Sequence, residues 1–348
     1  MKAGIVFEKG KIAWGDWKDP EVSPGKVLIE VKACGICGSD VPRVLGDEAR
    51  FYPIVIGHEF SGIVREAGAG VSSLRPGDRV AGVPLVPCMK CDDCASGNYA
   101  LCRHYSFIGS REQGAFAQYV CVPEKNAVPF GPSVSFEEAA FFEPSTVALH
   151  GVLAAGMTGG EYTAVLGGGT IGLFTAVWAR LFGANKVCVF DIDESRLLLA
   201  KKFGADAVIN TGNERFMEEA MEYTGGKGFG CVFESAGVSA TELLAYELAA
   251  NKARVIFIGT PHGPLTFSQK LWENLNRKEF VLTGTWMSYS APFPGKEWTL
   301  TAEYLSDGRL KFDESLIFKS FPLEQVDKAF DLFKTPRDVK GKVLVVNA

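Results

Sequence analysis

Four cysteines fall within one fifteen-residue stretch and have the spacing of a metal site. They are Cys88, Cys91, Cys94 and Cys102, separated by two, two and seven residues. Four thiolates on one short loop can close a tetrahedral zinc shell, which is typical of a structural site that holds a lobe without its own core. An iron–sulfur cluster also uses four cysteines and is the alternative.

A glycine pattern, Gly167-x-Gly169-x-x-Gly172, lies between an apolar segment and a helix-forming segment. The first glycine permits a tight turn, the second lets the backbone approach a pyrophosphate, and the third lets the helix pack closely on a strand. Nineteen residues after Gly172 a second apolar segment ends at Asp191. This carboxylate can accept both ribose hydroxyls of NAD and would repel the 2′-phosphate of NADP. Arg196 nearby could serve NADP, but a cation beside the adenine is also compatible with NAD. The alternative for Asp191 is that it only caps the next helix.

A second set of metal-binding side chains is scattered along the chain, as catalytic ligands usually are. Cys37 lies in Cys37-Gly-Ser-Asp, and His58 lies in Gly57-His58-Glu59. A lone histidine is more often a surface or core residue, but this one is among only four and its motif extends to Gly68. The motif differs from the His-Glu-x-x-His of zinc proteases, because position 62 is glycine.

The pattern of predicted strands and helices changes near residue 146. Before it, short strands such as Val27–Val31 alternate with Gly and Pro clusters, which indicates an irregular, mostly antiparallel β domain. After it, strands at Tyr162–Leu166 and Lys186–Phe190 flank a helix at Thr170–Phe182. Strands that alternate with helices indicate βαβ units and a parallel sheet.

After about residue 286 the sequence again predicts mainly strands, the last of them at Lys342–Val346. A chain of 348 residues is long enough for two domains. We therefore predict an α/β protein in which an NAD-binding domain, residues 146–285, is inserted into a catalytic zinc-binding domain. The catalytic domain then consists of residues 1–145 and 286–348.

The composition is that of a soluble globular protein, with 47% hydrophobic and 22% charged residues. A net charge of −5 gives no basic patch, so we expect no nucleic-acid partner. Tyr162–Ala179 carries no charge and resembles a membrane span, but its central glycines favour a strand, turn and helix, so we expect no membrane partner. Nine cysteines, an odd number of which four are clustered, indicate metal binding in a reducing compartment, so we expect a cytoplasmic protein. The first ten residues, MKAGIVFEKG, contain no apolar stretch long enough for a signal peptide.

Over essentially its whole length the chain resembles the medium-chain zinc alcohol dehydrogenases, because the motif His58–Gly68, the four-cysteine loop and the glycine pattern occur in that family's order and spacing. The resemblance implies a GroES-like β-rich catalytic domain and a doubly wound Rossmann domain. It also implies a catalytic zinc bound by Cys37, His58 and a third, downstream ligand. In the alcohol dehydrogenases proper this ligand is a cysteine; here Glu143 takes its place, as in the polyol dehydrogenase branch. Glu59 is implied as an alternate ligand.

Three protein ligands leave zinc one open position, where it lowers the pKa of an alcohol before a hydride passes to nicotinamide. The resemblance assigns the outward relay of the proton to Ser39. In many relatives a histidine three residues further on continues the relay, but this place is Pro42. A non-catalytic, zinc-stabilised binding protein on the same fold is expected to have lost Cys37, His58 or Ser39, and all three are present.

Several short segments of the sequence resemble those of the family branch that oxidises galactitol 1-phosphate at C5 to tagatose 6-phosphate. They are Tyr52–Gly62, Phe107–Arg111 and Trp286–Ser290, with Pro294-Gly295 and Glu297-Trp298. Sorbitol-type enzymes have an arginine where Met287 falls, which disfavours plain sorbitol. The alternative is an unphosphorylated polyol or a threonine dehydrogenase, because both would use the same zinc and NAD residues.

A small polyol phosphate needs cations or helix amides to hold its dianion. Arg43 and Arg111 are candidates, although most arginines are exposed surface residues. Trp286 and Tyr289 are candidates for the wall of the substrate pocket; alternatively, they fill a domain or subunit interface. An exposed sheet edge in the nucleotide domain would favour symmetric assembly, so we expect a homodimer or homotetramer. We expect two zinc ions and one NAD per chain.

Overall fold

The chain forms two units, and the second interrupts the first in sequence. In the computed structural model, which describes residues 1–347, the first unit is Met1–Glu143 with Tyr289–Ala348 and the second is Pro144–Ser288. The domain limits in the sequence interpretation, 145/146 and 285/286, differ from these bounds by two and three residues. Ala348, which ends the second catalytic segment of that interpretation, lies outside the described residues.

The N-terminal segment of the first unit contains ten strands and three short helices. The strands are β1 (Lys2–Glu8), β2 (Lys11–Asp16), β3 (Lys26–Gly35), β4 (Ile54–Val55), β5 (Glu59–Ala67), β6 (Arg79–Gly82), β7 (Leu85–Val86), β8 (Ser106–Phe107), β9 (Tyr119–Pro123) and β10 (Ala127–Pro129). The helices are α1 (Val41–Val44), α2 (Asp92–Ala95) and α3 (Phe136–Ala139), with 3₁₀ turns at Tyr99–Leu101 and Glu124–Asn126.

The second unit begins within α4 (Phe142–Ala155) and alternates strands with helices. Its strands are β11 (Tyr162–Leu166), β12 (Lys186–Asp191), β13 (Ala207–Asn210), β14 (Phe229–Glu234), β15 (Ala249–Phe257) and β16 (Val281–Gly284). Its helices are α5 (Thr170–Leu181), α6 (Glu194–Lys202), α7 (Phe216–Tyr223), α8 (Ser239–Leu248), α9 (Gln269–Trp272) and α10 (Asn274–Arg277).

The C-terminal segment returns to the first unit with α11 (Lys296–Ser306), β17 (Ile317–Pro322), α12 (Val326–Asp331) and β18 (Lys342–Val346). It also holds 3₁₀ turns at Glu314–Leu316, Leu323–Gln325, Leu332–Lys334 and Pro336–Asp338. The expectation of a β-rich segment after residue 286 is therefore only partly right. Helix α11 forms because Trp298, Thr301 and Leu305, spaced three and four residues apart, are buried together on one face.

The main sheet of the first unit is built around β3. Alternate residues of this strand are buried, and it lies antiparallel to β5, β9 and β18. The strand order is β10-β6-β5-β3-β18-β17, with β9 also paired to β3. The end of β3 thereby faces the start of β5, since Gly35 pairs with Glu59. This register brings the segments that follow Gly35 and precede Glu59 to one edge.

The second unit is a parallel sheet in the order β13-β12-β11-β14-β15-β16, which confirms the predicted doubly wound architecture. Its central strands are mostly apolar, and Val165, Val189 and Val232 are fully buried because helices cover both faces. Helix α5 ends one residue earlier than predicted, before Gly183, which has the left-handed φ of +97° that commonly terminates a helix. Among residues 1–347, no helix is both long and apolar enough to span a lipid bilayer.

Candidate active site

The four clustered cysteines converge in the first unit, around α2. The sulfur atoms of Cys88, Cys91, Cys94 and Cys102 all lie within 4.8 Å of one another. The Cys88–Cys94 and Cys91–Cys102 sulfur pairs are 4.0 and 3.9 Å apart. Sulfurs bound at about 2.3 Å around a tetrahedral zinc are about 3.8 Å apart, so the donor set fits that ion.

The backbone of this lobe also prepares the sulfurs for a cation. Backbone amides of Cys94 and Arg103 hydrogen-bond to the Cys91 sulfur and lower the pKa of this thiol to about 6. The lobe buries little apolar surface of its own, since Met89 and Leu101 remain 46% and 58% exposed. A bound metal would therefore supply the stability that a hydrophobic core supplies elsewhere.

A second donor group forms where β3 ends and β5 begins. Ligand atoms of Cys37, His58 and Glu59 lie within 4.8 Å of one another, and His58 and Glu59 are buried. The antiparallel register of β3 and β5 explains why residues 21 or more positions apart in sequence meet here. Thiolate, imidazole and carboxylate are all zinc ligands, so the donor chemistry fits a catalytic zinc.

Asp40 is a buried carboxylate that contacts the second donor group. Its Oδ1 lies 3.3 Å from His58 Nδ1 and 3.2 Å from Arg43 Nη1, and its Oδ2 accepts a 3.1 Å hydrogen bond from the Cys37 amide. The His58 contact is close enough for an ion pair, although it is not a well-aligned hydrogen bond. Burial raises the pKa of Asp40, but the positive charges on His58 and Arg43 outweigh it and the pKa is lowered. A carboxylate here orients the imidazole.

Glu59 has a buried cationic partner. Lys342 Nζ donates to its Oε1 and Oε2 at 2.8 and 2.5 Å. Burial lowers the pKa of Lys342, but the charge of Glu59 more than compensates, so this pKa is raised. The pairing means that the Glu59 carboxylate already has a cationic partner within the protein.

Glu143, the expected third zinc ligand, does not belong to the group of Cys37, His58 and Glu59. It is partly buried at the start of α4, and desolvation raises its pKa to about 7. The charge of His58 lowers this pKa and that of Glu59 raises it, so Glu143 lies within electrostatic range of both. A carboxyl with a raised pKa gains most from a nearby cation, because the cation favours its charged form.

Ser39 and Arg43 are joined at the edge of the same cluster. The Ser39 hydroxyl lies 3.4 Å from Cys37 Sγ, to which it donates, and accepts a 3.1 Å bond from Arg43 Nη1. Arg43 is thus a bonded part of the site and not a solvated surface residue. Pro42 lies in α1, where its missing amide hydrogen costs nothing. Ser39 itself is exposed.

The other substrate candidates differ in their surroundings. Arg111 lies 3.9 Å above the ring of Tyr105 and donates to its carbonyl at 3.4 Å. Tyr289 is buried in the first unit between Phe293 and Trp298, with ring centroids 6.0 and 6.1 Å away. Its hydroxyl accepts a 3.3 Å hydrogen bond from the Leu85 amide. Trp286 is in the second unit and is 51% exposed.

The glycine pattern forms the turn between β11 and α5. Gly167 has a φ of +102°, and a Cβ on Gly172 would lie 1.8 Å from the Gly167 carbonyl oxygen, so neither position accepts a side chain. Gly169 is the N-cap of α5, and the helix N-terminus presents free amides. This cradle fits a pyrophosphate.

Asp191 lies beside this turn at the end of β12. Its Oδ2 accepts a 2.6 Å bond from the Gly168 amide, and its Oδ1 accepts a 2.9 Å bond from the Asp193 amide. Arg196 Nη1 is 3.8 Å from the same carboxylate. Helix α6 is capped by Asp193, whose side chain accepts from the amides of Ser195 and Arg196. The alternative that Asp191 is the helix cap is therefore wrong.

Sequence reasoning did not predict two charged residues that contact the second donor group, Asp40 and Lys342. Asp40 could have been predicted from the sequence, because it is the last residue of the segment Cys37-Gly-Ser-Asp40. Lys342 could not, since it is 283 positions from Glu59 and a lysine in a C-terminal strand is usually solvated.

Family models match both units of the chain. The model described as alcohol dehydrogenase GroES-like domain matches residues 23–132, and the one described as zinc-binding dehydrogenase matches residues 170–303. Galactitol 1-phosphate 5-dehydrogenase of Escherichia coli (strain K12) is 36% identical over 99% of this chain and 100% of its own length. L-threonine 3-dehydrogenase of Bacillus velezensis is 32% identical over 94% of this chain and 93% of its own.

Solved structures agree with these matches. The crystal structure of galactitol-1-phosphate dehydrogenase from Escherichia coli superposes with a TM-score of 0.94 at 35% identity, covering 99% of this chain and 100% of the other. A zinc-binding dehydrogenase from Sinorhizobium meliloti bound to NADP superposes with a TM-score of 0.89 at 30% identity, covering 99% and 98%.

Proposed function

The chain belongs to the zinc-binding alcohol dehydrogenase family, and on this premise we propose that it oxidises galactitol 1-phosphate to tagatose 6-phosphate with NAD as the hydride acceptor. The proposed substrate rests on similarity in sequence and fold, over the whole chain, to galactitol 1-phosphate dehydrogenase of Escherichia coli. The competing candidate is L-threonine or an unphosphorylated polyol, because a threonine dehydrogenase also matches nearly the whole chain.

We propose Cys37, His58 and Glu143 as the ligands of a catalytic zinc, and the four-cysteine lobe as the site of a structural zinc. Bound there, the catalytic ion would act as a Lewis acid that lowers the pKa of the substrate hydroxyl. The negative charge of Asp40, 3.3 Å from His58 Nδ1, favours a proton on that nitrogen and so the tautomer that binds metal through the other. The Lys342 ammonium keeps Glu59 neutralised, so Glu59 is the alternate ligand and Glu143 the resident one.

Ser39 is proposed to pass the substrate proton outward. Its hydroxyl is beside Cys37 and is also exposed, so the proton can reach water without the histidine that Pro42 replaces. The Arg43 guanidinium donates to the Ser39 oxygen and favours a build-up of negative charge on it. Both features support a one-residue relay.

Gly167, Gly169 and Gly172 are proposed to bind the pyrophosphate of the nicotinamide cofactor, which accepts the hydride. Asp191, assisted by Arg196, is proposed to bind the adenosine ribose and to select NAD. The Asp191 carboxylate is fixed by the Gly168 amide, yet each oxygen has a second acceptor site for a ribose hydroxyl. Because one structural relative binds NADP, this preference must be measured.

Arg43 and Arg111 are proposed to hold the substrate phosphate. A guanidinium has five N–H donors, so each arginine keeps donors beyond those used within the protein. Trp286 is proposed to contact the polyol with its exposed indole. Tyr289, which is buried in the first unit, remains a proposed residue of the substrate pocket.

We propose a cytoplasmic homodimer, or a homotetramer built from two dimers. Strand β16 is the edge of the parallel sheet, and its Val281 and Leu282 are 61% and 38% exposed. An apolar, unpaired edge can continue into the same strand of a second copy. Sedimentation equilibrium should therefore give at least twice the mass of one chain.

A substrate panel tests the function. Purified protein is incubated with NAD or NADP and with galactitol 1-phosphate, galactitol, sorbitol or L-threonine, and formation of the reduced cofactor is followed by absorbance. We expect the highest kcat/KM with galactitol 1-phosphate and NAD. A higher kcat/KM with L-threonine would show that L-threonine, the competing candidate, is the better substrate. No turnover with any alcohol would favour a non-catalytic binding protein.

A further inference from the structure

Strand β14 ends at Glu234 and is followed directly by Ser235, and both polar residues lie beside the glycine-rich turn of the same unit. We propose that they are positioning residues that hold this turn in the shape that accepts the cofactor's pyrophosphate. The inference rests on the proposed use of NAD. It assigns part of cofactor affinity to a strand outside the glycine pattern.

Ser235 is bonded directly to the start of the turn. Its hydroxyl donates to the Leu166 carbonyl oxygen at 2.9 Å and lies 3.3 Å from the Gly167 carbonyl oxygen, a second acceptor within reach. Its amide also donates to the Leu166 carbonyl at 2.9 Å. A Cβ on Gly167 or Gly172 would lie 3.0 or 2.9 Å from the same hydroxyl oxygen. Ser235 thus fills the space that the first and third glycines leave, and it fixes the two carbonyls from which the turn begins.

Glu234 fixes the backbone that follows Ser235. Its Oε1 accepts hydrogen bonds from the amides of Ala236 and Gly237, at 2.8 and 2.9 Å, and from the Thr241 hydroxyl at 2.7 Å. The side chain is fully buried, and Gly237 has a left-handed φ of +67° that these bonds hold in place. Glu234 therefore ties the residue that contacts the glycine turn to the first turn of α8.

The same residue also anchors the neighbouring strand. The Glu234 carbonyl accepts hydrogen bonds from the amides of Ile258 and Gly259, at 2.8 and 3.0 Å. Leu166 pairs with Glu234 on one side and Phe257 pairs with it on the other. Glu234 thus connects the carboxyl ends of β11, β14 and β15, the edge of a doubly wound sheet where nucleotides bind.

These bonds contribute to affinity through preorganisation. A turn that is already ordered loses little conformational entropy when the pyrophosphate binds, whereas a loosened turn must be ordered by the ligand. Ser235 is only partly buried, so water can take the place of its hydroxyl in the alanine variant. The affinity for the cofactor should therefore fall without a matching loss of stability.

The test is the Ser235→Ala variant of the zinc-loaded protein, with NADH binding measured by isothermal titration calorimetry. We expect Kd to rise roughly fivefold to tenfold. KM for NAD should rise by a similar factor, while kcat at saturating NAD and the melting temperature without cofactor stay at the parent values. Ser239→Ala is the matched control, because its exposed hydroxyl donates to the Pro264 carbonyl and not to the turn. It should bind NADH as the parent does.

Two further variants separate the contribution of Glu234 from that of Ser235. Thr241→Val removes one of three donors to Glu234 and should raise Kd less than Ser235→Ala does. Glu234→Gln keeps the shape but places an amide donor in the site; if it fails to fold, Ser235→Ala alone decides. Parent affinity in Ser235→Ala, or an equal loss in Ser239→Ala, would overturn the inference. Failure of the unchanged protein to bind NADH would reject the proposed function itself.

Discussion

Lys342 Nζ lies 2.5 Å from Glu59 Oε2, and both side chains are buried beside His58. The chain thus keeps a second carboxylate next to the candidate catalytic zinc, but binds it with an ammonium from a distant strand. This relationship distinguishes two otherwise similar acids, Glu59 and Glu143.

Glu143→Ala should lose the catalytic zinc and most activity, because Glu59 stays paired with Lys342. Metal analysis should give two zinc ions per chain for the parent and one for the variant. Glu137→Ala, an exposed carboxylate on α3, is the control and should keep both ions. If Glu143→Ala retains two zinc ions and the parent rate, Glu59 or water is the third ligand.

Lys342→Met should destabilise the first unit, because it leaves the Glu59 carboxylate buried without a cation. Breaking a buried ion pair costs about 3–5 kcal/mol. Calorimetric melting should show the loss. The double variant with Glu59→Gln should recover much of it, since the uncompensated charge is gone. Equal melting temperatures for parent and Lys342→Met would show that the pair contributes no stability.

Cys91→Ser should release the structural zinc and lower the melting temperature by at least about 5 °C, since the lobe has little core of its own. Cys121→Ser is a suitable control, because this partly buried cysteine lies outside both donor groups. One zinc ion per parent chain with full activity, or a Cys91→Ser protein as stable as the parent, would contradict the two-metal assignment.

Asp191→Ala should weaken NAD binding and narrow the difference between NAD and NADP. Because Asp191 also accepts from the Gly168 amide, the alanine variant loosens the turn as well. Asp191→Asn retains an acceptor for that amide and removes only the charge, so it should change the cofactor preference with less loss of affinity. Steady-state KM values for both cofactors give the comparison. Equal use of NAD and NADP by the unchanged protein would refute selection by the carboxylate.

Galactitol 1-phosphate should exceed galactitol in kcat/KM by roughly 30-fold or more, because loss of a buried charge-assisted pair costs about 2–5 kcal/mol. Arg43→Ala and Arg111→Ala should reduce this preference through KM for the phosphate. Arg103→Ala, whose side chain is 71% exposed, serves as control. If both variants keep the full preference, the phosphate is bound elsewhere; if galactitol reacts equally well, the substrate proposal fails.

Local spacing explains which features were predictable. The cysteine lobe and the turn at Gly167 are each built from one short segment, so their chemistry can be seen in the sequence. The parallel sheet was predictable because its strands are continuous apolar runs. These features depend on neighbours along the chain.

What sequence reasoning missed depends on distant pairing. The contact of Lys342 with Glu59 arises from the position of β18 next to β3 in the sheet. Helix α11 was missed because proline and glycine at 292–295 resemble a loop, while its buried face depends on the rest of the first unit. Ser235 looked ordinary because its role depends on the pairing of β14 with β11.

The position of β18 also has a consequence for biosynthesis. This strand lies between β3 and β17, and its first residue neutralises Glu59. During translation the second unit is complete before β18 has been made, so it can fold while the first unit still lacks a strand of its sheet. Until residue 342 leaves the ribosome, Glu59 has no ammonium partner and is available to any metal ion that Cys37 and His58 bind. The order of synthesis therefore leaves Glu59 open as a metal ligand until β18 joins the sheet and Lys342 pairs with it.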